Sequence, residues 1–130
     1  MPTGFVDVTS GKTVIGTQYQ KRGGQFYSSS LDNIAAAGGG QGGATLLSNS
    51  INRVTTVGAG SGVRLPASVP GASLTVVHAA ITNALTVYPT GSDTINGAST
   101  YSITAAGAGV GVVVTFFCTS AGIWHALKSS

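Results

Sequence analysis

The chain contains no glutamate, and only nine of its 130 residues carry a formal charge. Average soluble proteins contain about 25% charged residues, so this chain is poor in charge. Such a surface is typical of a protein that is largely covered by its neighbours or that functions outside the crowded cytosol. Its only carboxylates are Asp7, Asp32 and Asp93, and paired-carboxylate catalysis needs two such groups held about 5 to 10 Å apart on a rigid scaffold. Asp93, within Gly91–Thr94, is better explained as a turn residue. We therefore expect no enzymatic activity.

Metal-binding and redox residues are equally scarce. Cys118 is the only cysteine, which excludes an intrachain disulfide, and its apolar surroundings predict a small buried side chain. His78 and His125 are the only histidines, and each falls on the apolar side of a predicted strand, where interior or interface histidines are common. Zinc sites use three or four protein ligands. We expect no metal or cofactor in a single chain, although a three-fold assembly that gathers one histidine from each copy stays open.

The six basic residues exceed the three acidic ones, but they form no cluster. Only Lys21 and Arg22 are adjacent, whereas a nucleic-acid surface needs several basic groups on one face. No apolar run approaches the ~20 residues of a membrane span, and the N-terminal residues do not resemble a signal peptide. We expect neither a nucleic-acid nor a membrane partner, and a protein that is made in the cytoplasm and stays soluble until it meets its partner.

The composition changes near residue 44. Residues 1–44 contain ten of the twenty glycines and end in the glycine-rich stretch 35–43, which is typical of a flexible connector. Its apolar residues are too scattered to close a core. We predict an extended arm and hinge over 1–44 and a body over 45–130. Packing of part of the arm on the body as an extra edge strand is an open alternative.

The body has the composition of a β-protein. Of its 86 residues, 28 are Val, Ile or Thr, which favour strands. Alternation places Leu74, Val76 and His78 on one face of a strand and Leu85, Val87 and Pro89 on one face of the next. Thr82-Asn83 lies between these runs, so we predict a hairpin of 74–81 with 84–89. The prediction is a single β-sandwich or jelly-roll-like barrel of about six to eight short strands, with no internal repeat.

The last two predicted strands differ from the others. Val112–Phe117 is apolar on both faces, which is typical of a strand in the middle of a sheet or at a subunit contact. Val113 and Phe117 lie on its second face. The closing strand contains Trp124, which suggests that this end of the chain is docked on the body. We predict self-association through Val113, Phe117 and Trp124.

Residues 51–127 resemble a segment of small phage and prophage virion proteins with a β-sandwich module, of the capsid decoration or head-fibre type. The resemblance is carried by strand and turn motifs at Arg53–Thr56, Val63–Pro66, Val76–His78, Leu85–Pro89, Gly91–Gly97, Phe116–Cys118 and Trp124–Leu127. These motifs have no catalytic content. The chain departs from long fibre proteins because it has neither coiled-coil heptads nor a repeated shaft.

The resemblance implies a non-enzymatic capsid decoration, or cement, protein on the outer surface of a phage head. Its partner would be the major capsid protein, and three-fold lattice sites would suit a homotrimer. The arm would contact the capsid, through residues that combine apolar anchors with two basic groups: Phe5, Lys21, Arg22, Phe26 and Tyr27. The alternative is a tail-fibre or baseplate module that contacts host surface glycans through Trp124, Tyr88 or Tyr101. A buried Trp124 would argue against that alternative.

Overall fold

A computed structural model describes residues 21–22, 25–26, 29–107 and 111–129, and for the first two ranges it describes the backbone. The described residues form strands and one short helix, which confirms the all-β prediction. The strands are β1 Lys21–Arg22, β2 Gln25–Phe26, β3 Ser30–Ala35, β4 Thr45–Leu46, β5 Ile51–Thr56, β6 Gly62–Arg64, β7 Ser73–His78, β8 Leu85–Tyr88, β9 Thr94–Ile95, β10 Tyr101–Ile103, β11 Val112–Ser120 and β12 Ile123–Lys128; the helix α1 is Gly40–Gly43. No helix in the described ranges has the length and hydropathy needed to span a bilayer.

Two sheets pack face to face around one core. The larger sheet has six strands in the order β9-β12-β11-β7-β5-β3, and the smaller has four in the order β10-β8-β6-β4. The short pair β1 and β2 forms a separate ladder. Buried side chains from both sheets contribute to one hydrophobic cluster. Among the described residues, nine strands, β4 to β12, fall within 45–130, which is more than the six to eight predicted, and β3 is the tenth strand of the two sheets.

The chain winds between the two sheets instead of folding back within one. Strands β3, β5 and β7 run parallel in the larger sheet, while β4, β6 and β8 run parallel in the smaller sheet. Ile51 pairs with Thr75 in the larger sheet, and Gly62 pairs with Thr86 in the smaller sheet. The paired residues are separated by the same number of positions in both sheets, so one turn of the winding has the same length in each. Jelly rolls are built from antiparallel Greek keys, and this parallel winding therefore corrects the jelly-roll expectation.

The predicted hairpin of 74–81 with 84–89 is wrong for the same reason. Strands β7 and β8 lie in different sheets, and the residues between them cross from one sheet to the other. The local turn prediction nevertheless holds, because Asn83 has a left-handed backbone with φ 65°. The Ala79 N–H donates to the Val54 carbonyl at 2.8 Å, which ties the start of the crossing to the neighbouring β5.

The folded body begins before residue 45. Residues 30–35 form β3, which pairs with β5, and Ile34 is part of the core. Ala44 is also buried, at the end of the glycine-rich stretch. The boundary at residue 45 is therefore corrected, and residues 30–44 belong to the two-sheet body. The edge position of β3 corresponds to the alternative in which part of the arm adds an edge strand.

The alternation predicted from the sequence is seen in the side-chain burial of β7 and β8. In β7, Leu74, Val76 and His78 are buried, while Thr75 and Val77 between them are partly exposed. In β8 and just after it, Leu85, Val87 and Pro89 are buried in the same way. This period of two is a property of the extended backbone, which places successive side chains on opposite faces.

Strand β11 occupies the interior of the larger sheet, between β12 and β7, as its two apolar faces predicted. Val114, Phe116 and Cys118 face the core and are buried, which also confirms the prediction for the single cysteine. The Cys118 thiol donates to the Ser120 carbonyl oxygen at 3.1 Å. The closing strand β12 pairs with β11 over most of its length, so this end of the body is docked.

Candidate interaction surface

The larger sheet presents an uncharged surface on the side away from the core. This surface, called the outer face below, is made by the outward residues of its strands β7, β11 and β12. They are Ser73, Thr75, Val77, Val113, Thr115, Phe117, Thr119, Ile123, His125 and Leu127. None of these ten side chains carries a formal charge when histidine is neutral, and half of them are large and apolar. Ile51 of the next strand, β5, extends the apolar surface.

Several apolar side chains of the outer face are open to solvent. Phe117 is 38% exposed, Ile123 42% and Leu127 69%. Val113 lies opposite the half-buried Val77 across the β7–β11 ladder. Scattered apolar residues are normal on a protein surface, whereas a contiguous patch of them marks an interaction site. The cross-strand register places Leu127 opposite Thr115 and therefore diagonal to both Val113 and Phe117, so these apolar side chains share one surface.

The polar side chains of the outer face are largely paired with each other. The hydroxyl oxygens of Thr75 and Thr115 lie 3.3 Å apart across the β7–β11 ladder. His125 stacks on Phe117 with ring centroids 5.4 Å apart, and its Nε2 lies 3.0 Å from the Thr119 hydroxyl. Burying a polar group is costly when it has no hydrogen-bond partner. This surface can therefore be covered without leaving these hydroxyls unpaired.

The formal charges nearest to the outer face form a pair at its β5 border, where Arg53 lies opposite Val77 and shares the outward side of β5 with Ile51. Asp32 on β3 accepts a hydrogen bond from Nη1 of Arg53 on β5 at 2.8 Å, and both side chains are exposed. This bond, together with one from the Asn33 backbone N–H, lowers the pKa of the Asp32 carboxyl below its ordinary value. An exposed pair of this kind contributes little to stability. Its effect is to neutralise two charges at the rim of the larger sheet.

The predicted self-association residues fall into two groups. Val113 and Phe117 are at the centre of the outer face and exposed, as their positions in the sequence suggested. Trp124 is fully buried in the core between the sheets, so its assignment to a contact surface is corrected. The reason is the alternation within β12, where Trp124 points inward and Ile123 and His125 point outward. The sequence displayed that alternation but did not show which side faced the second sheet.

The predicted capsid-contacting residues are only partly described. Lys21 pairs with Phe26 and Arg22 with Gln25 in the ladder of β1 and β2, so the two basic residues and Phe26 are neighbours along the backbone. Phe5 and Tyr27 lie outside the described residues. The role of all five in capsid contact remains a prediction.

The two histidines occupy different environments. His78 is fully buried, as predicted for an interior residue, and its Nε2 lies 2.9 Å from the Asn83 carbonyl oxygen. Because a carbonyl oxygen only accepts, Nε2 is the nitrogen that carries the hydrogen. Asn83 in turn donates from its side-chain nitrogen to the Val57 carbonyl at 2.9 Å. His78 thus anchors the crossing from β7 to β8, while His125 belongs to the outer face.

Substitutions of Asn83 test this anchor. Asn83→Ala removes the bond to Val57 and places alanine in a left-handed conformation, so we expect a loss of about 2 kcal/mol in the free energy of unfolding. Asn83→Gly removes the same bond but accepts the backbone angle, and the expected loss is about 1 kcal/mol. Urea unfolding followed by circular dichroism measures both. A glycine variant less stable than the alanine variant would contradict the assignment.

No group of three or more His, Cys, Asp or Glu side chains suited to hold a metal ion occurs within residues 29–107 and 111–129. Sequence reasoning identified Val113 and Phe117 but missed Leu127, Ile123 and the paired threonines. The alternation of Ile123, His125 and Leu127 was the available signal. Its meaning depends on which side of β12 meets the second sheet.

Comparisons of the chain with protein-family models, with curated proteins and with solved structures found no match. The class of the protein is therefore defined by the fold and the surface alone. It is an all-β protein of two packed sheets, wound in parallel and closed by an antiparallel pair, with an uncharged apolar outer face.

Proposed function

We propose that this chain is a non-enzymatic structural protein of a bacteriophage particle, a capsid decoration protein made in the host cytoplasm. It binds the outer surface of the assembled head as a homotrimer and stabilises the head by bridging subunits of the major capsid protein. The observation that carries the proposal is the outer face, an exposed sheet surface rich in apolar residues and without formal charge. Such a surface suits a subunit that works within an assembly.

The charge distribution supports different roles for the arm and the two-sheet body. In the sequence, Lys21 and Arg22 are the only adjacent basic residues, and they precede the two-sheet body. On the body, Asp32 and Arg53 neutralise each other. We assign capsid contact to Phe5, Lys21, Arg22, Phe26 and Tyr27. The body supplies the rigid unit that projects from the shell.

A ligand that binds only the assembled capsid stabilises it by mass action. At a free concentration of 100 times Kd the gain is about 2.7 kcal/mol per site. No turnover is required, and the protein needs only a contact that exists after assembly. This is the physical basis on which a small non-enzymatic protein reinforces a shell under internal pressure from packaged DNA.

The alternative is a tail-fibre or baseplate module that contacts host glycans through Trp124, Tyr88 or Tyr101. Trp124 is fully buried. Tyr101 is half-buried and packs edge-on against Phe116 at 5.7 Å, and the ring of Tyr88 lies over Gly62. Glycan binding by aromatic residues needs an open ring face, so these positions favour the decoration protein over the alternative.

The proposal is tested by mixing the purified full chain with capsids assembled without it. We expect electron microscopy to show added density on assembled heads, and co-sedimentation to show no binding to unassembled capsid protein. Reversal of both arm charges, Lys21→Glu with Arg22→Glu, is expected to weaken binding about tenfold through the loss of electrostatic attraction. The control is Lys128→Glu, which reverses an exposed charge on the body.

A truncation shows in the same assay whether the arm or the body contacts the capsid. Because β3 begins at Ser30, the variant should lack residues 1–28 and not 1–44, which would remove a strand of the larger sheet. Loss of capsid binding with an unchanged circular dichroism spectrum would support the arm as the contact. Unchanged binding would move the contact to the body, and no binding by the full chain would refute the proposed function.

A further inference from the structure

We propose that the outer face is the surface through which copies of this chain associate, with the outward residues of β7, β11 and β12 turned toward a common three-fold axis. The trimer itself rests on the proposed function, and the outer face is the surface that forms it. The partner is a second and a third copy of the same chain.

The outer face is compatible with a second copy of itself. Around a symmetry axis, each residue near the axis meets the same residue of a neighbouring copy. A charged residue there would meet its own charge and repel it, and charged residues are depleted at the centres of interfaces for this reason among others. The ten outward residues of the outer face include no Asp, Lys or Arg. Phe117 and Val113, at its centre, are suited to self-contact.

Removing water from the outer face costs little free energy. The Thr75 and Thr115 hydroxyls bond each other, and the His125 ring bonds Thr119 while it stacks on Phe117. These polar groups keep their partners when the surface is covered. Both sheets carry an arginine on the outward side. Arg53 stands at the border of the outer face and is paired with Asp32, whereas Arg64 on the smaller sheet donates to the Gln41 carbonyl, and its guanidinium charge would be desolvated by a similar contact.

The edges of the larger sheet are less suited to association than its face. Strand β3 has two register shifts, and Asn33 within it has a left-handed φ of 55°. At the other edge β9 has only two residues, and the Asn96 side chain accepts from the Ala126 N–H at 3.1 Å, which occupies part of the exposed edge of β12. Irregular and short edges discourage strand addition.

The experiment measures the mass of the full chain by light scattering and analytical ultracentrifugation. We expect the unsubstituted chain to be a trimer. Phe117→Lys and, separately, Leu127→Lys place a charge on the outer face and are expected to weaken association at least about 30-fold, the loss typical of a central interface residue. The matched control is Ser102→Lys, at an exposed position on the outer side of the smaller sheet, which should leave the trimer intact.

The Leu127 and Ser102 variants distinguish a loss of association from a folding defect. Leu127 is 69% exposed, so its replacement by lysine should leave the circular dichroism spectrum and the thermal midpoint of the monomer close to those of Ser102→Lys. A monomeric unsubstituted chain, or a trimer that survives both substitutions, would overturn the inference. A trimer that forms but does not bind capsids would refute capsid decoration and leave the inference standing. A trimer that survives both substitutions and binds capsids would refute the inference alone, and a monomer that binds capsids would refute both the inference and the trimeric state in the proposed function.

Discussion

Trp124→Ala is expected to lower the free energy of unfolding by about 3 to 5 kcal/mol, the range for removing a large aromatic side chain from a core. Trp124 is fully buried, next to Cys118 in β11 and Ile95 in β9. Its loss would leave a cavity between the sheets that the surrounding strands cannot close. Typical domains have a total stability of 5 to 15 kcal/mol, so this single change removes a large part of it.

The control for Trp124 is Ile81→Ala, because Ile81 is 66% exposed and its truncation should change stability by no more than about 0.5 kcal/mol. Trp124→Phe should lose less than the alanine variant, since the indole N–H has no hydrogen-bond partner among the described residues and only packing is lost. Urea unfolding followed by circular dichroism compares the three variants. A loss below about 1 kcal/mol for the alanine variant would contradict a core position.

Trp124 also offers a direct optical measurement, because it is the only tryptophan of the chain. A buried indole emits at shorter wavelength than one in water, so native emission should shift to longer wavelength on unfolding. An exposed indole, as a glycan-binding platform requires, would show little shift. The same measurement therefore separates the core assignment from the glycan-binding alternative.

Gly62→Ala is expected to cost about 3 kcal/mol, at the upper end of the usual range for overpacking. A Cβ at this position would lie 2.6 Å from the Thr86 carbonyl oxygen and 2.8 Å from a ring carbon of Tyr88. Strand β6 has little freedom to move away. On its other side the Gly62 N–H donates to the Ala37 carbonyl at 2.9 Å, and the Ala37 N–H donates back to Gly62 at 3.1 Å.

The matched control is Gly42→Ala. A Cβ at Gly42 meets nothing within 4 Å, and alanine favours the helical conformation of α1, so stability should change by no more than about 0.5 kcal/mol. Combining Gly62→Ala with Tyr88→Ala should recover part of the loss relative to the sum of the single changes, since the ring contact is relieved and the backbone contact is not. Equal stability of Gly62→Ala and the unsubstituted chain would refute this packing.

Gly62 and Gly42 differ in their tolerance of a side chain, and sequence analysis could not predict this difference. Both lie in glycine-rich stretches, and nothing in their neighbours along the chain distinguishes them. The requirement for glycine at position 62 arises from β8, which is more than twenty residues away in the sequence and lies beside β6 in the sheet. Only the pairing of the two strands brings the Tyr88 ring over the Gly62 backbone.

Local features were predictable because they depend on neighbouring residues. The burial of Leu74, Val76 and His78 follows from the two-residue period of a strand, and the left-handed turn at Asn83 follows from the tolerance of asparagine for that conformation. The sequence by itself determined the all-β class, the inward and outward sets of most strands, and the scarcity of charge.

Tertiary structure decided which strands pair and which apolar side faces the core. The residues 79–84 are compatible with a hairpin turn and with a crossing between sheets, and the choice depends on β5 and β6, which provide parallel partners for β7 and β8. Strands β11 and β12 are apolar on both sides, so only contact with the second sheet determined that Trp124 is buried and Phe117 is exposed. The physical reason is that alternation is set within a few residues, whereas strand pairing and burial depend on contacts between residues far apart in the chain.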